Sequence, residues 1–236
     1  MTTPPKNSSN TQMVLPLEFN RKASFENFYA DKNTELIAAM RSMVESNNDK
    51  ILYFYGVSGS GKSHLMSAIL RLAKENKRPT HYFSLTDQHV TPQLLEMTNG
   101  DSIVCIDDIQ VWAGNESKER TLFALFERVK NANGCLFVSS TQPSQQSSFD
   151  LPDLISRLGS GLVYPLHGLD DSQYLNAFKL RTQQRGMSIS EETVKYLLKH
   201  SARDTRQLFS LLDKIDKTSL IEKRRITIPF LQSILS

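Results

Sequence analysis

Eight residues limit this chain to a narrow set of folds: Gly56-Val57-Ser58-Gly59-Ser60-Gly61-Lys62-Ser63, preceded by the apolar run Ile51 to Tyr55 and followed by a stretch of helical character. A glycine-rich turn between a buried strand and a helix lets successive backbone amides converge on one point, and the helix N-terminus adds a favourable dipole for an anion. The spacing GxxxxGK[ST] puts a lysine and a hydroxyl at the start of that helix. In this setting Ser58, Gly59, Ser60, Gly61, Lys62, Ser63 and His64 form a phosphate cradle. The amides of residues 59–64 face phosphate oxygens, Lys62 brings a cation to the β and γ positions, and Ser63 is a magnesium ligand. Such a loop reads phosphates and leaves the base unspecified.

Around the loop the chain alternates between two periods. Strands are expected at Ile51–Tyr55, His81–Leu85, Ile103–Ile106, Leu136–Ser140 and Leu162–Tyr164. Helices are expected between them at about 63–76, 92–97, 118–131 and 152–158, with an earlier one at Asn33–Asn47 carrying Leu36, Ile37, Met40 and Val44 on one stripe. Alternation of this kind implies a parallel sheet covered by helices. Beyond Pro165 only helical patterns follow, at Asp171–Gln184, Glu191–His200, Thr205–Glu222 and Pro229–Leu235, the second opening at Ser190 with Glu191 and Glu192 behind it. The expected fold class is α/β, a P-loop parallel five-stranded sheet with flanking helices followed by a small all-helical lid. The expected domains are a tail at 1–20, the nucleotide-binding α/β domain at 21–167 and the lid at 168–236. The opening MTTPPKNSSNT has almost nothing to bury and is expected to be disordered.

Composition narrows the function classes. At 236 residues and 39% hydrophobic content the chain can bury its own core. Its 28 basic residues nearly offset 25 acidic ones, a net charge of +3, so no dominant electrostatic footprint for nucleic acid is present. No apolar run approaches the ~20 residues of a membrane span, and the first residues lack the apolar centre of a signal peptide. A cytoplasmic protein without membrane contact is expected. Cys105 and Cys135 lie in strand-like apolar runs and read as core thiols, and no CxxC or HxxxH spacing suggests a zinc or iron-sulfur site.

Farther along, Ile103-Val104-Cys105-Ile106-Asp107-Asp108 reads as a buried strand ending in two acids, the Walker B pattern. Asp107 is placed to hold magnesium through water and Asp108 to polarise an attacking water. A longer glutamate is the usual residue at the second position, so slow hydrolysis is expected. Ser139, Ser140 and Thr141 at the next strand's end are hydroxyls able to orient water or a γ-phosphate. Ser-Ser-Thr-Gln-Pro also reads as a plain turn, and both readings stay open.

Three segments carry a resemblance: Ile106-Asp107-Asp108-Ile109-Gln110, Ser24-Phe25-Glu26-Asn27-Phe28, and Ile155-Ser156-Arg157-Leu158-Gly159-Ser160-Gly161-Leu162. They resemble the DnaA branch of AAA+ proteins over residues 24–235. The resemblance implies an adenine nucleotide, ADP or ATP, with Mg2+. It implies that Arg157 is an arginine finger acting, like Asp108, in catalysis, and that Arg206 is the lid arginine that reads the phosphates, with Arg203 as a nearby competitor. Tyr29 and Ala30 lie where the family's adenine pocket begins. From the residues alone, Arg157 could equally pair with Asp153 four positions earlier, and Arg203 or Arg206 with Asp204. Gln12-Met13-Val14-Leu15-Pro16-Leu17 resembles a motif that docks on the sliding clamp, the β subunit of DNA polymerase III. Gln12 would supply hydrogen bonds, Leu15 and Leu17 would fill an apolar pocket, and Pro16 would restrain the peptide.

DnaA itself continues past the lid into a DNA-reading domain, whereas this sequence ends at Ser236, so no dedicated DNA-binding domain is expected. Lys223-Arg224-Arg225 reads as charge at a helix end. The resemblance therefore implies a negative regulator of replication initiation that partners DnaA and the clamp and promotes hydrolysis of DnaA-bound ATP. A homodimer is among the assemblies it implies. A self-sufficient ATPase of helicase-loader type and a non-catalytic clamp adaptor are the competing readings.

Overall fold

The computed structural model describes residues 23–46, 50–187, 189–200, 205–222 and 224–235. A 3-10 turn at Asp31–Asn33 leads into α1 (Thr34–Ser46). Then follow β1 (Ile51–Tyr55), α2 (Lys62–Glu75), β2 (Thr80–Ser84), α3 (Pro92–Glu96), β3 (Ile103–Asp107), α4 (Glu116–Lys130), β4 (Cys135–Ser140), α5 (Pro152–Gly159) and β5 (Leu162–Pro165). All pairings are parallel and the strand order is β2-β3-β4-β1-β5. In such a sheet the carboxyl ends of the strands share one edge, and ligands bind there. That edge holds the turn leaving β1, Asp107 at the end of β3 and Ser139 and Ser140 at the end of β4.

The central strands are apolar until their carboxyl ends, where Asp107 and Ser139-Ser140 stand, because both faces are covered. Leu52, Phe54, Cys105, Cys135 and Phe137 meet α1 and α2 on one side. Tyr53, Val104, Ile106, Leu136 and Val138 meet α4 and α5 on the other. Both thiols are core residues as expected, and burial pushes the Cys105 thiol well above its ordinary value. Boundaries depart from expectation by a residue or two. The start of α4 moves to Glu116 because Asn115 caps it, its side chain accepting from Lys118 N at 3.1 Å.

The lid comprises α6 (Asp171–Gln184), α7 (Glu191–His200), α8 (Thr205–Glu222) and α9 (Ile228–Leu235), packed around Phe178, Leu197, Leu212, Ile215 and Phe230. A reciprocal cap opens α6: Gln173 N donates to Asp170 Oδ1 at 2.9 Å, and Asp170 N donates to Gln173 Oε1 at 2.8 Å.

Glu119 on α4 is fully buried and serves as an anchor. Its carboxylate accepts from Gly114 N at 2.7 Å, Asp150 N at 3.0 Å and Leu151 N at 2.8 Å. It therefore joins the turn after β3 to the residues that open α5. Removing it takes the charged acceptor from three part-buried hydrogen bonds, each worth about 1.5 to 3 kcal/mol. Glu119→Ala should cost about 3 kcal/mol or more, read as a lower urea midpoint, with the smaller loss in Glu119→Gln. Equal stability of the alanine variant would show that these amides find other acceptors.

Candidate functional site

The turn between β1 and α2 is shaped for backbone amides to face one point. Gly59 and Gly61 have φ of +80° and +105°, a region that side chains rarely adopt. Gly61 is doubly constrained, since a Cβ there would lie 2.7 Å from the Phe28 ring. Lys62 is 7% exposed, and its Nζ donates to Gly56 O at 2.8 Å and Val57 O at 3.2 Å. The cation is thus held inside the loop on weak carbonyl acceptors that an anionic oxygen outcompetes. Ser60 Oγ is buried and has no hydrogen-bond partner among the described residues, the kind of atom a ligand completes. Ser58 and Ser63 are exposed at the mouth. These features fit phosphate. Among the described residues no group of three or more His, Cys, Asp or Glu could hold a metal by itself.

Asp107 is buried, and each of its carboxylate oxygens accepts a hydrogen bond. Ser139 Oγ donates to its Oδ1, and Tyr82 Oη donates to its Oδ2 at 3.0 Å. Ser139 Oγ also accepts from Asp108 N at 3.0 Å, so one hydroxyl bridges the two acids. The open reading of the β4 end divides by residue. Ser139 belongs to the acid pair, whereas Ser140 Oγ accepts from Gln142 N at 3.4 Å within the turn, and Thr141 is exposed. No motif in the sequence marks Tyr82 as a site residue. The parallel register sets it beside Cys105, and burial together with Asp107 pushes its phenol far up. Asp108 has φ of +57°, and its Oδ1 accepts from Gln110 Nε2 at 3.2 Å. Asp tolerates left-handed backbone better than most residues.

His64 turns its ring away from the loop mouth. Its Nε2 lies 3.0 Å from Ser24 O and its Nδ1 accepts from Arg181 Nη2 at 3.2 Å. Burial, helped by the Arg181 charge and opposed by the Ser24 carbonyl, brings its pKa down to about 4 from 6.5. The unfolded chain binds a proton here below pH 6.5 and the folded chain only below about 4. Stability should therefore fall as pH drops through that window, by up to about 3 kcal/mol. Urea midpoints at pH 7 and pH 5 should separate more in the wild type than in His64→Gln. Tyr29 and Ala30 are half-buried beside this junction, and Tyr29 Oη accepts from Asn176 Nδ2 of the lid at 3.4 Å.

Arg157, on the last turn of α5, pairs with a residue of the neighbouring helix. Its Nε is 2.6 Å from Glu127 Oε1, and no ion pair joins it to Asp153 among the described residues. Glu119 and Glu127 lie two turns apart on α4, so one helix fixes both ends of α5. Arg206 lies at the start of α8. Arg203 and the peptide Gln12–Leu17 lie outside the described residues.

A parallel sheet of this order, with a P-loop leaving β1, acids closing β3 and a helical lid behind, defines an AAA+ domain. A family model described as the bacterial DnaA ATPase domain matches residues 19–165, and one described as the Hda lid domain matches residues 170–235. The chain belongs to the DnaA-like AAA+ family, in its Hda group. It is 37% identical over 229 residues to an uncharacterised protein of Haemophilus influenzae, covering 96% of this chain and 99% of that one. Its fold is similar to domain III of the Thermotoga maritima replication initiation protein DnaA, with a TM-score of 0.75, 20% identity, and 92% and 97% of the two chains covered. It is also similar to AMPPCP-bound DnaA from Aquifex aeolicus, with a TM-score of 0.68, 21% identity, and 87% and 68% covered. The Thermotoga maritima RuvB branch migration motor has the same fold, with a TM-score of 0.66, 18% identity, and 92% and 72% covered.

Proposed function

We propose that this protein is a negative regulator of replication initiation. It holds ADP or ATP in the 56–64 loop, docks on the DNA-loaded sliding clamp through Gln12 to Leu17, and presents Arg157 to ATP carried by DnaA. The observation that carries the reading is Arg157 at the end of α5, ion-paired to Glu127 and a third exposed, on an element braced by α4. None of the hydrogen bonds or ion pairs among the described residues ties it to its own P-loop.

The residues have distinct parts. Lys62 and the amides of 59–64 bind and orient the chain's own nucleotide, and Ser63 with Asp107 would hold Mg2+, which supplies charge neutralisation at the phosphates when bound. Tyr29 and Ala30 line the base, and Arg206 reads the phosphates from the lid. Asp108, whose Oδ1 accepts from Gln110 Nε2, polarises the attacking water in the chain's own turnover, which is slow because its side chain is shorter than the usual glutamate. The guanidinium of Arg157 meets charge developing on the transferred phosphoryl group of the partner.

The test is stimulation of DnaA-bound ATP hydrolysis with and without clamp on DNA. The wild type should stimulate strongly only with clamp, and Gln12→Ala with Leu15→Ala should lose that dependence on clamp and most of the rate. Hydrolysis by the protein alone, abolished in Asp108→Ala, would favour a self-sufficient ATPase. Full activity of Arg157→Ala would favour an adaptor.

A further inference from the structure

One stripe of α6 is polar and is spent on the segment that precedes α1. Gln173 Nε2 donates to Asp31 Oδ2, Asn176 Nδ2 donates to Tyr29 Oη at 3.4 Å, and Gln184 Nε2 donates to Glu26 O at 2.9 Å. Arg181, between them on the same side, donates to His64 at 3.2 Å. Positions 173, 176, 181 and 184 share one side of a helix of 3.6 residues per turn. Phe178 points the other way, into the lid core. The lid is therefore strapped to the nucleotide-binding domain by polar rungs, and one rung reaches the P-loop helix itself.

We propose that His64 and Arg181 are positioning residues that tie phosphate occupancy of the loop to the placement of α6. The proposal rests on the reading of residues 56–64 as a nucleotide site. His64 directly follows Ser63, on the first turn of α2. The Ser24 carbonyl can only accept, so Nε2 carries the proton and Nδ1 faces Arg181 as an acceptor. With both nitrogens bonded and the ring 5.4 Å from that of Phe28, the imidazole cannot shift alone. Phe28 itself fills the space over Gly61. Phosphate oxygens that engage the amides of 59–64 and draw Lys62 off Gly56 O and Val57 O fix the first turn of α2, and the fixed turn carries Arg181 and α6 with it. Linkage makes the effect reciprocal: a rung that strengthens when the loop is filled raises nucleotide affinity by the same factor.

The experiment is hydrogen exchange on the full chain with and without Mg-ADP, alongside titration with a fluorescent ADP. In the wild type ADP should protect the amides of 56–64 and those of 173–184. Arg181→Ala should keep protection in the loop, lose it in α6, and weaken ADP by roughly fivefold to tenfold. Gln184→Ala removes a rung that does not touch His64 and should keep both protections. If Arg181→Ala fails to fold, Arg181→Lys, which retains the buried charge and loses the guanidinium fork, takes its place and should show the same loss in α6. Loop protection with α6 unchanged in the wild type, or α6 protection surviving in the Arg181 variant, overturns the coupling. Absence of loop protection in the wild type overturns the nucleotide reading itself.

Discussion

Lys62→Ala is expected to weaken ADP and ATP binding by roughly 100-fold and to leave the fold intact. The ammonium is already desolvated at 7% exposure and rests on two loop carbonyls at 2.8 and 3.2 Å. Little further desolvation is required for it to meet a phosphate, so most of a charged hydrogen bond, about 3 kcal/mol, appears as affinity. The carbonyls it leaves lie at the rim of the loop, where water reaches Val57 and Ser58. Titration with a fluorescent nucleotide measures the loss, and the thermal midpoint checks the fold. Unchanged affinity would mean that the phosphates are bound somewhere other than this loop.

Much of this architecture is legible in the sequence because it depends on local rules. Strand and helix periods, the glycine-rich turn between them and the caps of the lid helices act over a few residues, and the α6, α7 and α8 boundaries agree with their hydrophobic patterns. Strand ends are less local. β2 stops at Ser84, one residue short of the apolar run, although Leu85 N still donates to Asp107 O at 3.0 Å. The partners of the site's charged residues were not legible at all. Asp153 competes for Arg157 on spacing, but the packing of Leu154 and Leu158 against Leu122 and Phe126 turns α5 so that Glu127 meets the guanidinium. Tyr82 and Ser139 reach Asp107 from two different strands, and Arg181 meets His64 across 117 positions of sequence. No local pattern encodes such meetings. They follow from strand order and lid placement.

The second large effect concerns Arg157. Its ion pair with Glu127 is about a third exposed on both sides, and pairs of this kind contribute up to about 1 kcal/mol. An arginine finger in a transition state lowers the barrier by about 4 to 7 kcal/mol, a rate factor of roughly 10³ to 10⁵. The transition-state contact is several times stronger than the ion pair, so Glu127 can hold the guanidinium in the free protein and release it to a γ-phosphate at small cost. Arg157→Ala should lose about 10³ in stimulated rate with the fold and the docking peptide unaffected.

The most direct measurement is the rate of hydrolysis of DnaA-bound ATP with clamp loaded on DNA, wild type against Arg157→Ala, with clamp binding measured on both. Loss of stimulation in the variant at equal clamp binding is the predicted result. Equal stimulation by the two proteins, or none from the wild type, would contradict the account.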